Sequence, residues 1–127
     1  MEDAVIHLLV VEDLPSDVFL VQRAMNSLQG RLPRISYKET LSDALTAIRD
    51  DSVQVVLLDL NLPDSDGLET LESVREAAPD LPVVVLTGNV EPGLQQACLA
   101  AGAREFVPKG SLDPAVVRRA LAYAGGD

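Results

Sequence analysis

An aspartate stands at the end of the most apolar stretch of this chain. Asp59 closes the run VVLLD and precedes LNLPDSDG, which has the turn-forming residues of a loop. A run of Val and Leu without polar alternation is typical of a central parallel strand that is buried on both faces. The carboxylate of Asp59 is therefore expected at the carboxyl end of such a strand, where open α/β sheets bind ligands. Considered by itself, Asp59 could equally be a polar residue that begins a loop.

Four further polar residues follow apolar runs in the same manner. Glu12 and Asp13 come after VIHLLVV, Thr87 ends VVVLT, and Lys109 comes after FVP. The carboxyl ends of parallel strands share one edge of a sheet, so these side chains are expected to converge there. Each residue has an ordinary interpretation as part of a loop or a helix start, and it is the set that favours a site.

Three carboxylates at neighbouring strand ends predict a site for a divalent cation. Glu12, Asp13 and Asp59 would repel one another, and the repulsion would raise the pKa of at least one of them. Oxygen-only ligands favour Mg²⁺, which usually combines one or two carboxylates with phosphate oxygens and water. Phosphoryl chemistry follows, with Asp59 as the nucleophile. Lys109 would neutralise a phosphoryl group, and the Thr87 hydroxyl would donate a hydrogen bond to it.

The elements that position these residues alternate between strands and helices. Apolar runs predict strands at 5–11, 34–39, 53–58, 83–86 and 105–107, and amphipathic patterns predict a helix after each strand. Pro15 and Pro92 suit helix starts, Thr40 suits a helix cap, and Asp113 with Pro114 suits the start of the last helix. Right-handed crossovers then give one α/β domain over 1–127, a doubly wound parallel sheet in the flavodoxin-like order 2-1-3-4-5.

Composition argues against several function classes. Twenty acidic and ten basic residues give a net charge of −10, which opposes direct binding to nucleic acid or to an anionic membrane. The apolar runs are shorter than the roughly 20 residues of a membrane span, and no basic leader is evident, so the expected compartment is the cytoplasm. The single cysteine, Cys98, cannot form an internal disulfide and is expected in the core.

Taken together, these motifs resemble the receiver domain of two-component response regulators over essentially the whole chain. The resemblance rests on VVED, LLDLNLPDSDG, VVVLTG and FVPKG, in that order and each at an expected strand end. It implies that Asp59 accepts a phosphoryl group from a phosphohistidine of a sensor kinase or a histidine phosphotransfer protein, with Mg²⁺ required. It also implies that Asp13 and Asp59 ligate the metal directly. Glu12 would act largely through water and Asn61 through its backbone carbonyl.

The same resemblance implies a conformational switch and a signalling role rather than an enzymatic one. Thr87 would move toward the phosphoryl group as Phe106 turns inward, which would alter the face built by the fourth helix, the fifth strand and the fifth helix. That face would bind a target protein or a second copy of the domain. On the fifth helix, the apolar pattern predicts that Val116 and Tyr123 form an outward pair.

Several alternatives stay open at the level of sequence. A receiver could serve as a phosphate sink or as a phosphorylation-independent adaptor. A haloacid-dehalogenase-like phosphatase also uses a strand-end aspartate with Mg²⁺, but it requires a second acid where this chain has Asn61. The nearby acids Asp64 and Asp66 do not complete a calcium loop and are expected to shape the loop into the third helix.

Overall fold

Strands and helices alternate along the chain in the predicted order. The structure, a computed structural model, describes residues 5–28, 30, 32–89 and 91–125. The strands are β1 (His7–Val11), β2 (Arg34–Lys38), β3 (Val55–Leu58), β4 (Val83–Thr87) and β5 (Glu105–Pro108). The helices are α1 (Pro15–Asn26), α2 (Leu41–Asp50), α3 (Leu68–Ala77), α4 (Leu94–Ala100) and α5 (Pro114–Ala124). Within these described residues, none of the helices is long and apolar enough to cross a membrane.

The strands form one parallel sheet in the order β2-β1-β3-β4-β5, which confirms the predicted topology. Val11, the last residue of β1, lies opposite both Lys38 and Leu58. At the other side of the sheet, Thr87 lies opposite Pro108. The strands thus end nearly level with one another, and the residues that follow them meet along one edge.

Apolar side chains fill a layer on each face of the sheet. Leu9 and Val56 point to the layer that α2, α3 and α4 cover, whereas Leu8 and Val55 point to the layer that α1 and α5 cover. Side chains alternate between the two faces of a strand, so a strand buried on both faces must be apolar throughout. Cys98 is fully buried in the first layer, as predicted. Each Leu or Val buried in this way contributes about 1.5–3 kcal/mol, which makes the central strands a rigid support for the edge residues.

Side-chain caps begin two of the helices where the sequence predicted them. Thr40 Oγ1 accepts a hydrogen bond from the Asp43 amide at 3.0 Å. Asp113 Oδ1 accepts one from the Val116 amide, also at 3.0 Å. These bonds satisfy amide groups that have no partner within the first turn of a helix.

The start of α4 differs from the prediction. Pro92 was expected to open this helix, but the helix begins at Leu94 with Gly93 as its N-cap residue. Gly93 has a φ of 86°, a left-handed conformation that interrupts any helix begun at Pro92. The strand predictions at 5–11 and 53–58 also began two residues before β1 and β3.

The prediction that Val116 and Tyr123 form an outward pair on α5 is wrong. Val116 is only 4% exposed and packs in the layer between α5 and the sheet, together with Val117 and Ala120. Tyr123 is half-buried, and its hydroxyl donates to Glu105 Oε2 at 2.5 Å. A helix that is apolar around most of its circumference does not reveal which stripe faces the sheet, because several stripes fit equally well.

Asp64, which was expected to shape the loop into α3, bonds to the start of α2. Its Oδ1 accepts the Leu41 amide at 2.8 Å, and its Oδ2 accepts the Ser42 amide at 3.0 Å. These two bonds lower the pKa of Asp64. The N-cap of α3 is instead Gly67, with a φ of 69°. The loop after β3 is therefore fastened to the start of α2.

Arg75 joins the ends of α3 and α4. Its Nε donates to the Ala101 carbonyl at 3.3 Å, and one of its terminal nitrogens donates to the Pro79 carbonyl at 2.5 Å. Gly102 ends α4 with a φ of 106°, and a Cβ atom at this position would collide with the Arg75 guanidinium. The left-handed backbone conformation favours glycine here, and a larger residue would also displace the Arg75 side chain.

Candidate functional site

A cleft of about 520 Å³ opens at the carboxyl edge of the sheet. It lies between the start of α1 and the segments that follow β3, β4 and β5. Its lining residues are Leu14, Asp17, Asp59, Asn61, Gly88, Asn89 and Lys109. The edge that the sequence marked as a candidate site thus contains a real concavity.

Backbone hydrogen bonds that extend the strand ladders fix the positions of Asp59 and Glu12. The Asp59 amide donates to the Val11 carbonyl at 3.0 Å, and the Glu12 amide donates to the Lys38 carbonyl at 2.9 Å. The parallel pairing therefore continues one residue past β1 and β3. Glu12 is 2% exposed and Asp59 is 3% exposed, so both acids sit at the buried base of the site.

Asp13 completes a cluster of three acids. One carboxylate oxygen from each of Glu12, Asp13 and Asp59 lies within 4.8 Å of the others. Asp13 is half-buried, so the cluster reaches from the protein interior toward solvent. The structure therefore brings together the three acidic residues that the sequence predicted would converge.

The environment of Glu12 perturbs its titration. Burial raises the pKa of Glu12 to about 7, and the charge of Asp59 adds to the rise while Lys109 opposes it. Its Oε2 accepts the Leu14 amide at 3.2 Å. Its Oε1 is buried and accepts no hydrogen bond of acceptable geometry from any described residue, although Lys109 Nζ lies 3.0 Å away. A buried carboxylate oxygen in this state is a ready ligand for a cation.

The donor set fits a magnesium ion. The three acids supply oxygen ligands, one of those oxygens lacks a hydrogen bond, and the open cleft leaves room for water or phosphate oxygens. Asn61 borders the same cleft, and its amide donates to Asp59 Oδ1 at 3.1 Å. This bond fixes the orientation of the Asp59 carboxylate.

Lys109 forms ion pairs with three carboxylates of the site. Its Nζ lies 2.5 Å from Asp17 Oδ2, 3.0 Å from Glu12 Oε1 and 3.3 Å from Asp59 Oδ2. Burial opposes the charge of this lysine, but the hydrogen bonds and ion pairs with the acids outweigh it and raise the pKa of Lys109. Lys109 is therefore a cation at physiological pH and can face a phosphoryl group.

Asp17 was missed at the sequence level. It lies in the first turn of α1, where an acid has a sufficient explanation in the helix dipole. Its contact with Lys109 joins residues 92 positions apart in the chain. No signal in the sequence distinguishes Asp17 from an ordinary acid of a first helical turn.

Thr87 and Phe106 lie on the adjacent strands β4 and β5. Thr87 is fully buried, and its Oγ1 accepts the Asn89 amide at 3.0 Å, which uses a lone pair rather than the hydroxyl hydrogen. Phe106 is half-buried on β5 and packs against the layer that contains α4. Phe106 therefore lies on the α4 side of the sheet.

Comparison with known proteins assigns the whole arrangement to one family. Residues 8–121 match the sequence profile of the response regulator receiver domain. The chain is 32% identical over 104 residues to the response regulator MprA of Mycolicibacterium vanbaalenii, covering 82% of this chain and 44% of MprA. It is also 32% identical over 100 residues to the DNA-binding transcriptional regulator NtrC of Proteus hauseri, covering 79% of this chain and 20% of NtrC.

A solved structure agrees with this result. The signal receiver domain of the NarL response regulator from Mycobacterium tuberculosis superposes with a TM-score of 0.81 at 27% identity. The superposition covers 98% of this chain and 100% of the NarL receiver domain. The chain thus spans an entire receiver domain but less than half the length of the two curated relatives.

Proposed function

Since the chain belongs to the response regulator receiver domain family, we propose that Asp59 accepts a phosphoryl group from a phosphohistidine of a sensor kinase or a histidine phosphotransfer protein. The observation that carries the proposal is the setting of Asp59. Its carboxylate is held at the base of an open cleft, 3.3 Å from a lysine ammonium and beside two further acids. The haloacid-dehalogenase-like alternative has no support from the family match.

The reaction transfers one phosphoryl group between two side chains. An oxygen of the Asp59 carboxylate attacks phosphorus, the P–N bond of the donor breaks, and the imidazole leaves with the electron pair. Lys109 supplies positive charge to the phosphoryl oxygens, and Thr87 donates its hydroxyl hydrogen to one of them. Attack by water on the same phosphorus later restores the free carboxylate.

Mg²⁺ is the cofactor that this site is proposed to hold. Asp13 and Asp59 would ligate it directly, Glu12 largely through water, and Asn61 through its backbone carbonyl. When bound, the ion neutralises negative charge on the carboxylates and on the phosphoryl oxygens. The unsatisfied Oε1 of Glu12 and the clustering of the three acids support this assignment.

The proposed output is a change in the face formed by α4, β5 and α5. Thr87 connects the cleft to this side of the domain, and Phe106 is the aromatic residue that would change position with it. The outward residues of the face include Leu99, which is 43% exposed, and Arg119, which is exposed. We expect this face to bind a target protein or a second copy of the domain in a phosphorylation-dependent way.

A small phosphodonor tests the proposal directly. Acetyl phosphate with Mg²⁺ should add one phosphoryl group to the protein, and intact-mass spectrometry detects the added mass. Asp59→Asn should abolish the adduct, whereas Asp66→Asn, which removes an exposed acid from the same loop, should not. An adduct that persists in Asp59→Asn under native conditions would show that the nucleophile has been misassigned.

The same material separates a switch from a phosphorylation-independent adaptor. Thr87→Ala and Lys109→Ala should still fold, because neither side chain fills the apolar layers. In both variants, phosphorylation or beryllofluoride should no longer alter the amide NMR signals of α4 and β5. Identical spectra of the wild-type protein with and without beryllofluoride would favour the adaptor.

A further inference from the structure

Among the described carboxylates that contact Lys109, that of Asp17 is the nearest, and that of the proposed phosphoacceptor Asp59 is farther away. The distance from Nζ is 2.5 Å to Asp17 Oδ2, against 3.3 Å to Asp59 Oδ2. Nζ forms a hydrogen bond with each of these two atoms. A lysine ammonium has three hydrogens, so it bonds both acids at once, but its single positive charge is divided between them.

The position of Asp17 directs its side chain to this lysine. Asp17 lies in the first turn of α1, and the amide of the N-cap residue Leu14 is bonded to Glu12 Oε2 rather than to Asp17. The carboxylate of Asp17 is therefore not used to cap its own helix through Leu14. The side chains of Asp17 and Lys109 are each 16% exposed, so solvent screens their attraction only weakly.

We propose that Asp17 is a positioning residue that shares the Lys109 ammonium with Asp59 until a phosphoryl group arrives, and that it thereby sets the rate of phosphorylation. The inference rests on the proposed phosphoacceptor role of Asp59. A phosphoryl group on Asp59 adds terminal oxygens with more negative charge than the free carboxylate. The Lys109 ammonium then exchanges its bond with Asp17 for a bond with a phosphoryl oxygen.

This exchange gives a signed expectation. While Asp17 retains the ammonium, the incoming phosphoryl group meets less positive charge at the moment of transfer. Asp17→Asn keeps the size of the side chain but weakens its attraction for Lys109. Phosphorylation by acetyl phosphate should therefore be about threefold to tenfold faster in Asp17→Asn, which corresponds to a fall of about 1 kcal/mol in the activation free energy.

The first measurement concerns the unphosphorylated protein. The sequence contains two lysines, Lys38 and Lys109, so ¹⁵N-lysine labelling yields two ammonium signals and one of them is an internal control. Exchange of the Lys109 ammonium protons with water should be slower than that of Lys38. Asp17→Asn should accelerate exchange at Lys109 without changing it at Lys38. Unchanged exchange at Lys109 would overturn the proposal.

The second measurement is a mutant cycle on the phosphorylation rate. Asp17→Asn is compared with Asp66→Asn, which makes the same change in net charge from an exposed position of a loop at the same edge. Both substitutions are then repeated in a Lys109→Ala background. In every variant, intact-mass spectrometry over several hours measures the rate of phosphorylation. The acceleration should occur with Asp17→Asn alone and should disappear without Lys109.

Each other outcome points elsewhere. An equal acceleration in the Lys109→Ala background would mean that Asp17 acts directly on the phosphoryl group or the metal, and the proposal would fail. An unchanged or slower rate in Asp17→Asn would also refute it. A wild-type protein that accepts no phosphoryl group would refute the proposed function instead, and the ammonium exchange would then show whether Asp17 still tethers Lys109.

Discussion

The acidic cluster should make metal-free protein less stable than protein with Mg²⁺. Two unit charges 4.8 Å apart repel by about 3.5 kcal/mol at an effective dielectric constant of about 20. Lys109 offsets part of this repulsion at Glu12 and Asp59, but one ammonium cannot balance the whole cluster. At tens to hundreds of times Kd, a bound ion should stabilise the native state by roughly 1 to 3 kcal/mol, or about 4 to 12 °C in Tm.

Asp59→Asn tests the origin of that effect. The substitution removes a negative charge from the cluster while leaving a side-chain oxygen for the Asn61 amide. The free energy of unfolding of the metal-free variant should therefore exceed that of the wild-type protein by about 1 kcal/mol. Mg²⁺ should raise the stability of the variant less than that of the wild-type protein. Asp66→Asn makes the same change in net charge outside the cluster and should retain the full response.

Thermal melts followed by circular dichroism measure both quantities. The wild-type protein and the two variants are compared in EDTA and in increasing Mg²⁺ at constant ionic strength, so that general screening is held fixed. Equal wild-type midpoints in EDTA and in saturating Mg²⁺ would refute the metal site. A response to Mg²⁺ that is as large in Asp59→Asn as in the wild-type protein would place the ion elsewhere.

Three further predictions concern contacts outside the acidic cluster. Glu105→Gln should lower stability at pH 7 by about 0.5–1 kcal/mol. Hydrogen bonds from Arg119 lower the pKa of Glu105. Its contribution to stability is therefore present above the unfolded pKa of about 4.3 and is lost as pH falls through the folded value. Thermal melts should show a smaller difference between Glu105→Gln and the wild-type protein at pH 3 than at pH 7. Asp64→Ala should lower Tm more than Asp66→Ala, because it removes two hydrogen bonds to the first amides of α2. The same loss should accelerate amide exchange at the start of α2. Gly102→Ala should cost about 1 to 2 kcal/mol in urea denaturation, because alanine is strained at a φ of 106°, and a change within 0.3 kcal/mol would contradict this.

The fold and the meeting of the acids could be predicted because both follow from strand patterning. Runs that are apolar on both faces require a parallel sheet covered by helices, and a parallel sheet carries the residues after its strands to one edge. No knowledge of individual side-chain orientations was needed. Sequence position alone therefore predicted the convergence of Glu12, Asp13 and Asp59.

The remaining features depend on side-chain contacts that have no periodic signal. The bond between Asp17 and Lys109 joins opposite ends of the chain, and Asp64 caps α2 from a loop more than twenty residues away. On α5, apolar residues occur around most of the helix, so packing against the sheet rather than the sequence pattern decided that Val116 faces inward.

The burial of Glu12 and Asp59 has a consequence for the evolution and engineering of this domain. A buried glutamate with an oxygen that lacks a hydrogen bond is a position where many neutral or apolar residues would make the protein more robust. Selection of variants for heat resistance alone should therefore replace the site residues early, before it improves the already well-packed strands. Selection that also demands phosphoryl transfer should leave these acids unchanged and accumulate its substitutions on the helices.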